Sequence, residues 1–320
     1  MIRANTYFGR QRGVALVTAI LMVAIATALA TKMVWDSQIG MRRTQSLLDM
    51  EQAQQLARGA EAVAISLLLE QGPDFGNFAQ DISEPIIYEA NIEDVSLGII
   101  QGSLVDLQGR LNVNNLVSGN TVNADVKKQF EDLLAFLRLD PQLVDLLIDW
   151  IDSDTVPQGA GAEDGSYTAL QPPYRPANNY LLDISELRAI GGLDKESYEI
   201  LLPHVIALPP GWCGSTSPTR LNLNFSSAEV IAAVTGVSPG DAANMVDQRD
   251  QTPWEDVNNI GLPPTANPNA LDFIDVKTSC FALSVIVDVG RSTLTMYSLL
   301  DRAAGANQIV PRVRAYGLEN

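Results

Sequence analysis

The chain opens on an unbroken apolar run. From Val14 to Thr31 no residue is charged, and only Thr18, Thr27 and Thr31 are polar. At about 1.5 Å per residue, and with Lys32 able to snorkel, the stretch to Trp35 spans a hydrocarbon layer of about 30 Å. Between Trp35 and Glu70 the pattern becomes amphipathic. Proline is absent, Gly40 and Gly59 are the only breakers, and Leu47, Met50, Gln54, Ala57, Glu61, Ala64 and Leu68 recur at a spacing of three to four. This predicts one helix leading out of the apolar run and ending near Gln71-Gly72-Pro73. So long a helix needs a partner for its stripe. Sustained heptads are missing, so packing against a sheet is preferred to a coiled-coil stalk.

A loop is expected at 73–84. From Ile86 to Asp106 apolar residues alternate loosely and suggest one or two strands. Near the other end, Leu283–Val289 and Thr293–Leu299, separated by Gly290-Arg291-Ser292, read as a hairpin. Gln308–Tyr316 adds a last strand that Pro311 confines to an edge. Residues 111–278, between the early and late strands, lack alternation and read as short helices. They contain two similar stretches, Gly109-Arg-Leu-Asn-Val-Asn114 and Thr219-Arg-Leu-Asn-Leu-Asn224. Each precedes an apolar helix, a turn and a second helix. The turns are Leu139-Asp140-Pro141 before Gln142–Ile151 and Gly236-Val-Ser-Pro-Gly240 before Asp241–Asp250. A third, shorter hairpin occupies Ser185–His204. An Asn that caps a helix start accounts for part of the repeat.

Charge adds an asymmetry. The 320 residues carry 38 acids and 21 bases, yet residues 1–43 hold six bases against the single acid Asp36. The remainder has 15 basic and 37 acidic side chains, and a body that negative repels phosphate backbones. The basic leader favours a cytoplasmic amino terminus. The sole histidine, His204, sits among Leu201, Leu202 and Val205 and reads as a packed side chain. It offers one candidate for a triad and none for a multi-histidine metal site.

Three readings of the amino terminus compete. A secretory signal needs a shorter apolar region and a cleavage site that Ala28-Leu29-Ala30 fits weakly. A plain signal-anchor explains the run but not the leader, which ends in Gly13 just before the apolar run begins at Val14. That arrangement resembles a type IV prepilin leader. The resemblance implies cleavage between Gly13 and Val14 by prepilin peptidase, followed by N-methylation of Val14. Most pilins and pseudopilins carry Glu at the fifth residue after the cut, where Thr18 stands here. A missing Glu, unusual length and paired helical modules between pilin strands are together similar to the K-type minor pseudopilins of type II secretion.

The family resemblance implies an α+β chain: a pilin-like long N-terminal helix plus a small antiparallel sheet, with a large all-α, SAM-like, helix-hairpin insertion between strands. The expected organisation is a leader at 1–13, a membrane-spanning helical part at 14–35, and pilin helix and first strands at 36–110. An all-α insertion follows at 111–278, in modules of about 111–215 and 216–278, then C-terminal pilin strands at 279–320. It implies a non-enzymatic protein of the inner membrane with its bulk in the periplasm. Its partners would be minor pseudopilins I and J and other pseudopilins, with no nucleic acid among them, and it would initiate pseudopilus assembly at the fibre tip. In an oxidising periplasm Cys213 and Cys280 are expected to pair, the alternative being two buried thiols.

The densest polar cluster is Asp149-Trp-Ile-Asp152-Ser-Asp154, followed by a Gly-rich loop returning to Glu163-Asp164. Several carboxylates with loop carbonyls suit Ca²⁺, although the twelve-residue EF-hand loop is missing. The resemblance points the same way, toward the family's acidic loop. Asp152, Asp154, Glu163 and Asp164 are the candidate ligands, with Asp149 free to face outward; a solvated acidic loop is the alternative. No substrate cleft suggests enzymatic use of these carboxylates. The rival function is a membrane-anchored periplasmic DNA-binding or uptake protein, because residues 221–243 resemble the helix-hairpin-helix modules of competence proteins. Against it, Pro239 removes a donor from the turn, and Asp241, Asp247 and Asp250 surround it.

Overall fold

The computed structural model describes residues 12–71, 85–92, 95–213, 218–302 and 308–317. The expected leader up to Gln11 and the expected loop at 73–84 lie outside the described residues. Helix α1 runs without interruption over Arg12–Gln71. Its apolar N-terminal part reaches a mean hydropathy of 2.4 over an 18-residue window with none of that window buried, which is long and apolar enough to cross a membrane. Thr18 Oγ1 donates to its own helix, to the carbonyls of Val14 (3.1 Å) and Ala15 (3.0 Å).

Beyond Asp49 the helix lies on a five-stranded sheet. The strands are β1 (Ile86–Ile92), β2 (Val95–Asp106), β3 (Cys280–Val289), β4 (Ser292–Arg302) and β5 (Ile309–Tyr316). They stand in chain order, each antiparallel to the next. β3 alternates cleanly: Leu283, Val285, Val287 and Val289 face the core and meet Ala53, Ala57 and Leu68 of α1. The two alanines let the helix approach the sheet closely. β5 is an edge strand, with Pro311 opposite Leu300 beside a register shift. The helical stripe begins later than its periodicity implies. Leu47 is 68% exposed while Asp49 is buried, since the helix first meets the sheet at the β3–β4 turn. Glu61, also buried, pairs with Arg314 of β5 at 2.8 Å.

Because β2 and β3 are adjacent and antiparallel, Asp106 lies opposite Phe281 and the whole insertion leaves and re-enters the sheet at one place. It contains α2 (Ala124–Phe136), α3 (Leu143–Ile151), α4 (Asp164–Thr168), α5 (Lys195–Leu201), α6 (Ala228–Thr235), α7 (Pro239–Gln251) and α8 (Ala270–Phe273) around a core of its own. The Arg-Leu-Asn repeat has a structural meaning. Leu111–Asn112 and Leu221–Asn222 each form a short parallel bridge, to Val205–Ile206 and Ile274–Asp275 respectively. Two residues further on, Asn114 clasps both backbone groups of Leu181, and Asn224 clasps both of Trp254. Asn112 caps the 3₁₀ turn Val113–Leu116, as expected of it. In the second hairpin α7 begins at Pro239, two residues before Asp241, because Ser238 caps it and proline suits its first turn.

The seam between sheet and insertion is polar. Asp106 accepts from the Gly109 amide and from Asn222 Nδ2 (3.2 Å), and Gln108 receives Thr278 Oγ1 (3.2 Å). Cys213 and Cys280 are joined by a disulfide, with Leu107 and Leu208 packed around it. Closing a loop of 67 residues contributes roughly 4 kcal/mol in the chain-entropy view.

Candidate functional site

The acidic cluster is built on α3. Asp145 and Asp149, one turn apart, face the same side, and both receive backbone N–H groups from the loop that follows. Asp145 Oδ2 accepts from Ala160 (2.9 Å), while its Oδ1 accepts from Lys127 Nζ (2.6 Å). Asp149 Oδ1 accepts from Gln158 (2.9 Å). The loop comes close enough that a Cβ on Gly161 would lie 2.0 Å from Asp149 Oδ2, and Gly159 sits at a φ of +46°. Asp149 therefore faces inward, correcting the outward orientation allowed from sequence; it is fully buried as an anchor for the loop.

This anchoring swings Glu163, at the start of α4, over the end of α3. Asp152, Asp154 and Glu163 each offer an oxygen within 4.8 Å of the others. Asp154 is pinned by the Val156 amide (2.8 Å) and Asn120 Nδ2 (2.9 Å). Asp152 and Glu163 are 2% and 5% exposed, and Asp152 Oδ1 and both Glu163 oxygens are buried with no hydrogen-bond partner among the described residues. Burial, then repulsion from neighbouring carboxylates, raises the Glu163 carboxyl to about 7. Asp149 rises to about 6, chiefly through burial, and Asp152 is raised by burial and by Asp154. Unsatisfied buried carboxylates are costly alone and well satisfied by a hard cation that prefers oxygen donors. The residues fit such an ion. Asp164, the fourth expected ligand, stands apart from the group: it is drawn to Arg175 (3.6 Å).

The rival turn holds no comparable set of unpartnered buried polar atoms among the described residues. The Gly236 amide donates to Ala232, the Asp241 amide to Ser238 Oγ, and Asn267 folds over the turn with its amide on the Thr235 carbonyl (2.7 Å). Arg249 Nη1 is spent on the carbonyls of Leu223 (3.0 Å) and Ser226 (2.5 Å). The nearby guanidinium and two of the turn's amides are thus already engaged and do not face a phosphate. His204 is half-buried with Nδ1 3.0 Å from Ser227 Oγ, and burial lowers its pKa, in keeping with a packed side chain.

Two family models, both described as type II secretion system (T2SS), protein K, match residues 109–210 and 221–275. The type II secretion system protein K of Pseudomonas aeruginosa is 36% identical over 252 residues, covering 75% of this chain and 72% of that protein. The chain belongs to the type II secretion system protein K family. Its relative in Pectobacterium carotovorum is 31% identical over 95% of this chain and 96% of its own length. The fold is similar to a chain in the crystal structure of the GspK-GspI-GspJ complex from enterotoxigenic Escherichia coli. There the TM-score is 0.72 at 26% identity, covering 87% of this chain and all of that one. The K-family fold thus accounts for the pilin-like helix, the antiparallel sheet and the helical insertion together.

Sequence reasoning missed Asp145, Asn120 and Asn178 around the cluster. Asp145-x₃-Asp149 followed by Gly159-x-Gly161 was a usable signal, since acids one turn apart can hold a close-lying glycine loop. The two asparagines reach Asp154 from 34 and 24 residues away and had no local signature.

Proposed function

We propose that this K-family minor pseudopilin sits at the tip of the pseudopilus with minor pseudopilins I and J, where it initiates the fibre that exports folded proteins across the outer membrane. The likeness over most of the chain to a member of the GspK-GspI-GspJ complex carries this reading. In it, residues 1–13 are a leader removed by prepilin peptidase between Gly13 and Val14, and the new terminus is methylated. Residues 14–35 anchor the chain in the inner membrane, and the bulk lies in the periplasm. The pilin domain comprises 36–110 and 279–320, and 111–278 is the inserted domain, with modules of about 111–215 and 216–278.

Thr18 supports the terminal position: its hydroxyl is satisfied within its own helix turn, so no carboxylate there can neutralise an overlying subunit's amino terminus. A structural Ca²⁺ at Asp152, Asp154 and Glu163 fixes the loop of the first module, and the protein works by assembly rather than catalysis. Co-expression with prepilin peptidase and the I and J pseudopilins tests the scheme. Mass spectrometry is expected to find a mature chain starting at methylated Val14, co-purifying with both partners. A chain retaining its first thirteen residues, cut near Ala30, or recovered without I and J would overturn it.

A further inference from the structure

The apolar part of α1 ends in cations. Between Val14 and Leu48 the only charged side chains are Lys32, Asp36, Arg42 and Arg43, and all four are exposed. None of the three cations forms an ion pair among the described residues. Trp35, 65% exposed, stands at the end of the span, where an aromatic ring settles at headgroup level. At about 100° per residue, Arg43 falls about 20° from Lys32, and Arg42 about 20° from Trp35. Lys32, Trp35, Arg42 and Arg43 therefore share one face, about 100° wide. Ala53, eleven residues after Arg42, falls about 20° from it, so this is the side of α1 that carries the sheet. Asp36 offsets one cation, and two are left over.

Helix geometry brings these charges toward one level. Arg42 and Arg43 lie about 10–12 Å beyond Trp35 along the axis, and helical side chains lean toward the N-terminus, which here means toward the membrane. Lys32 rises to meet them by snorkelling. Cations on the flank that crosses a membrane run against the positive-inside bias. With residues 1–13 removed as proposed above, that bias is inverted, because Val14–Thr31 carries no charge to balance them. We propose that Lys32, Arg42 and Arg43, with Trp35, form a docking face for the anionic phosphate headgroups of phospholipids in the leaflet on the Trp35 side. This rests on residues 14–35 being the membrane anchor. The chain beyond residue 43, with 37 acids against 15 bases, is repelled by the same headgroups. Attraction is thus confined to the point where α1 leaves the bilayer. Acidic side chains of a neighbouring pseudopilin are the competing occupant; continuity with the span and a place beneath the sheet favour lipid.

The test is native mass spectrometry of the full chain in neutral detergent, titrated with phosphatidylglycerol or with phosphatidylcholine of the same acyl chains. The parent is compared with R42Q/R43Q and with R58Q, Arg58 being an exposed cation of the same helix about 35 Å beyond Trp35. Glutamine is as good a helix former as arginine, so both variants are expected to fold. The leader's own bases are common to all three proteins and cancel. The parent is expected to prefer phosphatidylglycerol. R42Q/R43Q is expected to bind that lipid at least about fivefold more weakly, with phosphatidylcholine unchanged and R58Q like the parent. Undiminished phosphatidylglycerol binding by R42Q/R43Q, or an equal loss in R58Q, would overturn the inference. If the undiminished R42Q/R43Q also failed to co-purify with minor pseudopilins I and J, the face would belong to a protein partner instead. A parent released from membranes by alkaline carbonate would remove the anchor reading itself, a result distinct from these.

Discussion

Asp106 closes β2 where the sheet passes into the insertion, and it is the group whose neutralisation has the most calculable effect. It is 5% exposed, and burial raises its carboxyl from 3.8 to about 6 despite hydrogen bonds from the Gly109 amide and Asn222. The nearby Arg110 is itself partly buried and leaves the desolvation cost largely uncompensated. A folded-state pKa above the unfolded one means that the native protein binds more protons between pH 4 and 6. Stability attributable to Asp106 is therefore complete at low pH and is lost as the pH rises through 6. The shift corresponds to about 3 kcal/mol. Asp106→Asn keeps an oxygen for the Gly109 amide but turns its own amide toward Asn222 Nδ2, forfeiting one hydrogen bond worth about 1 kcal/mol. Relative to the parent, the variant is expected to be slightly less stable at pH 4 and about 2 kcal/mol more stable at pH 8. Urea unfolding of both proteins at matched pH values, read as a difference, cancels the titration of every other group. A difference that stays flat from pH 4 to 8 would refute the assignment of a desolvated carboxylate to this seam.

Three further outcomes are expected. Glu163→Gln should remove most of the stabilisation that Ca²⁺ gives the parent, about 2.7 kcal/mol at a hundredfold excess over Kd, as followed by thermal unfolding with and without chelator. Arg314→Ala should strand the buried Glu61 carboxylate and lower stability by about 1–2 kcal/mol, the half-exposed guanidinium limiting the loss; in a double-mutant cycle Glu61→Leu should relieve it. Cys213→Ser with Cys280→Ser should lower stability by up to roughly 4 kcal/mol in urea titrations under oxidising conditions, and a parent already titrating two free thiols would contradict the bridge.

The parts of the fold with a period were legible. The long helix announces itself by composition and then by a 3–4 stripe, and β3 by strict alternation, so their ends fall within a few residues of expectation. What lacked a period was hidden. A two-residue bridge such as Leu111–Asn112 leaves no pattern, and Asn114 acts on a backbone 67 residues away. The stripe misjudged Leu47 because periodicity reports which face is apolar and not where the sheet beneath it stops. At the site, clustering of acids was visible, but the same spacing serves a solvated loop. Only burial of Asp152 and Glu163 distinguishes the two, and burial depends on the glycine loop lying against Asp145 and Asp149.

The neighbouring exits of β2 and β3 also decide where the insertion can vary. The long helix meets the sheet through Ala53, Ala57 and Leu68, while the helical body joins it along one seam, at Asp106, Phe281 and the Cys213–Cys280 bridge. Length added or lost within residues 111–278 therefore leaves the pairing of the five strands and their contact with the long helix unchanged.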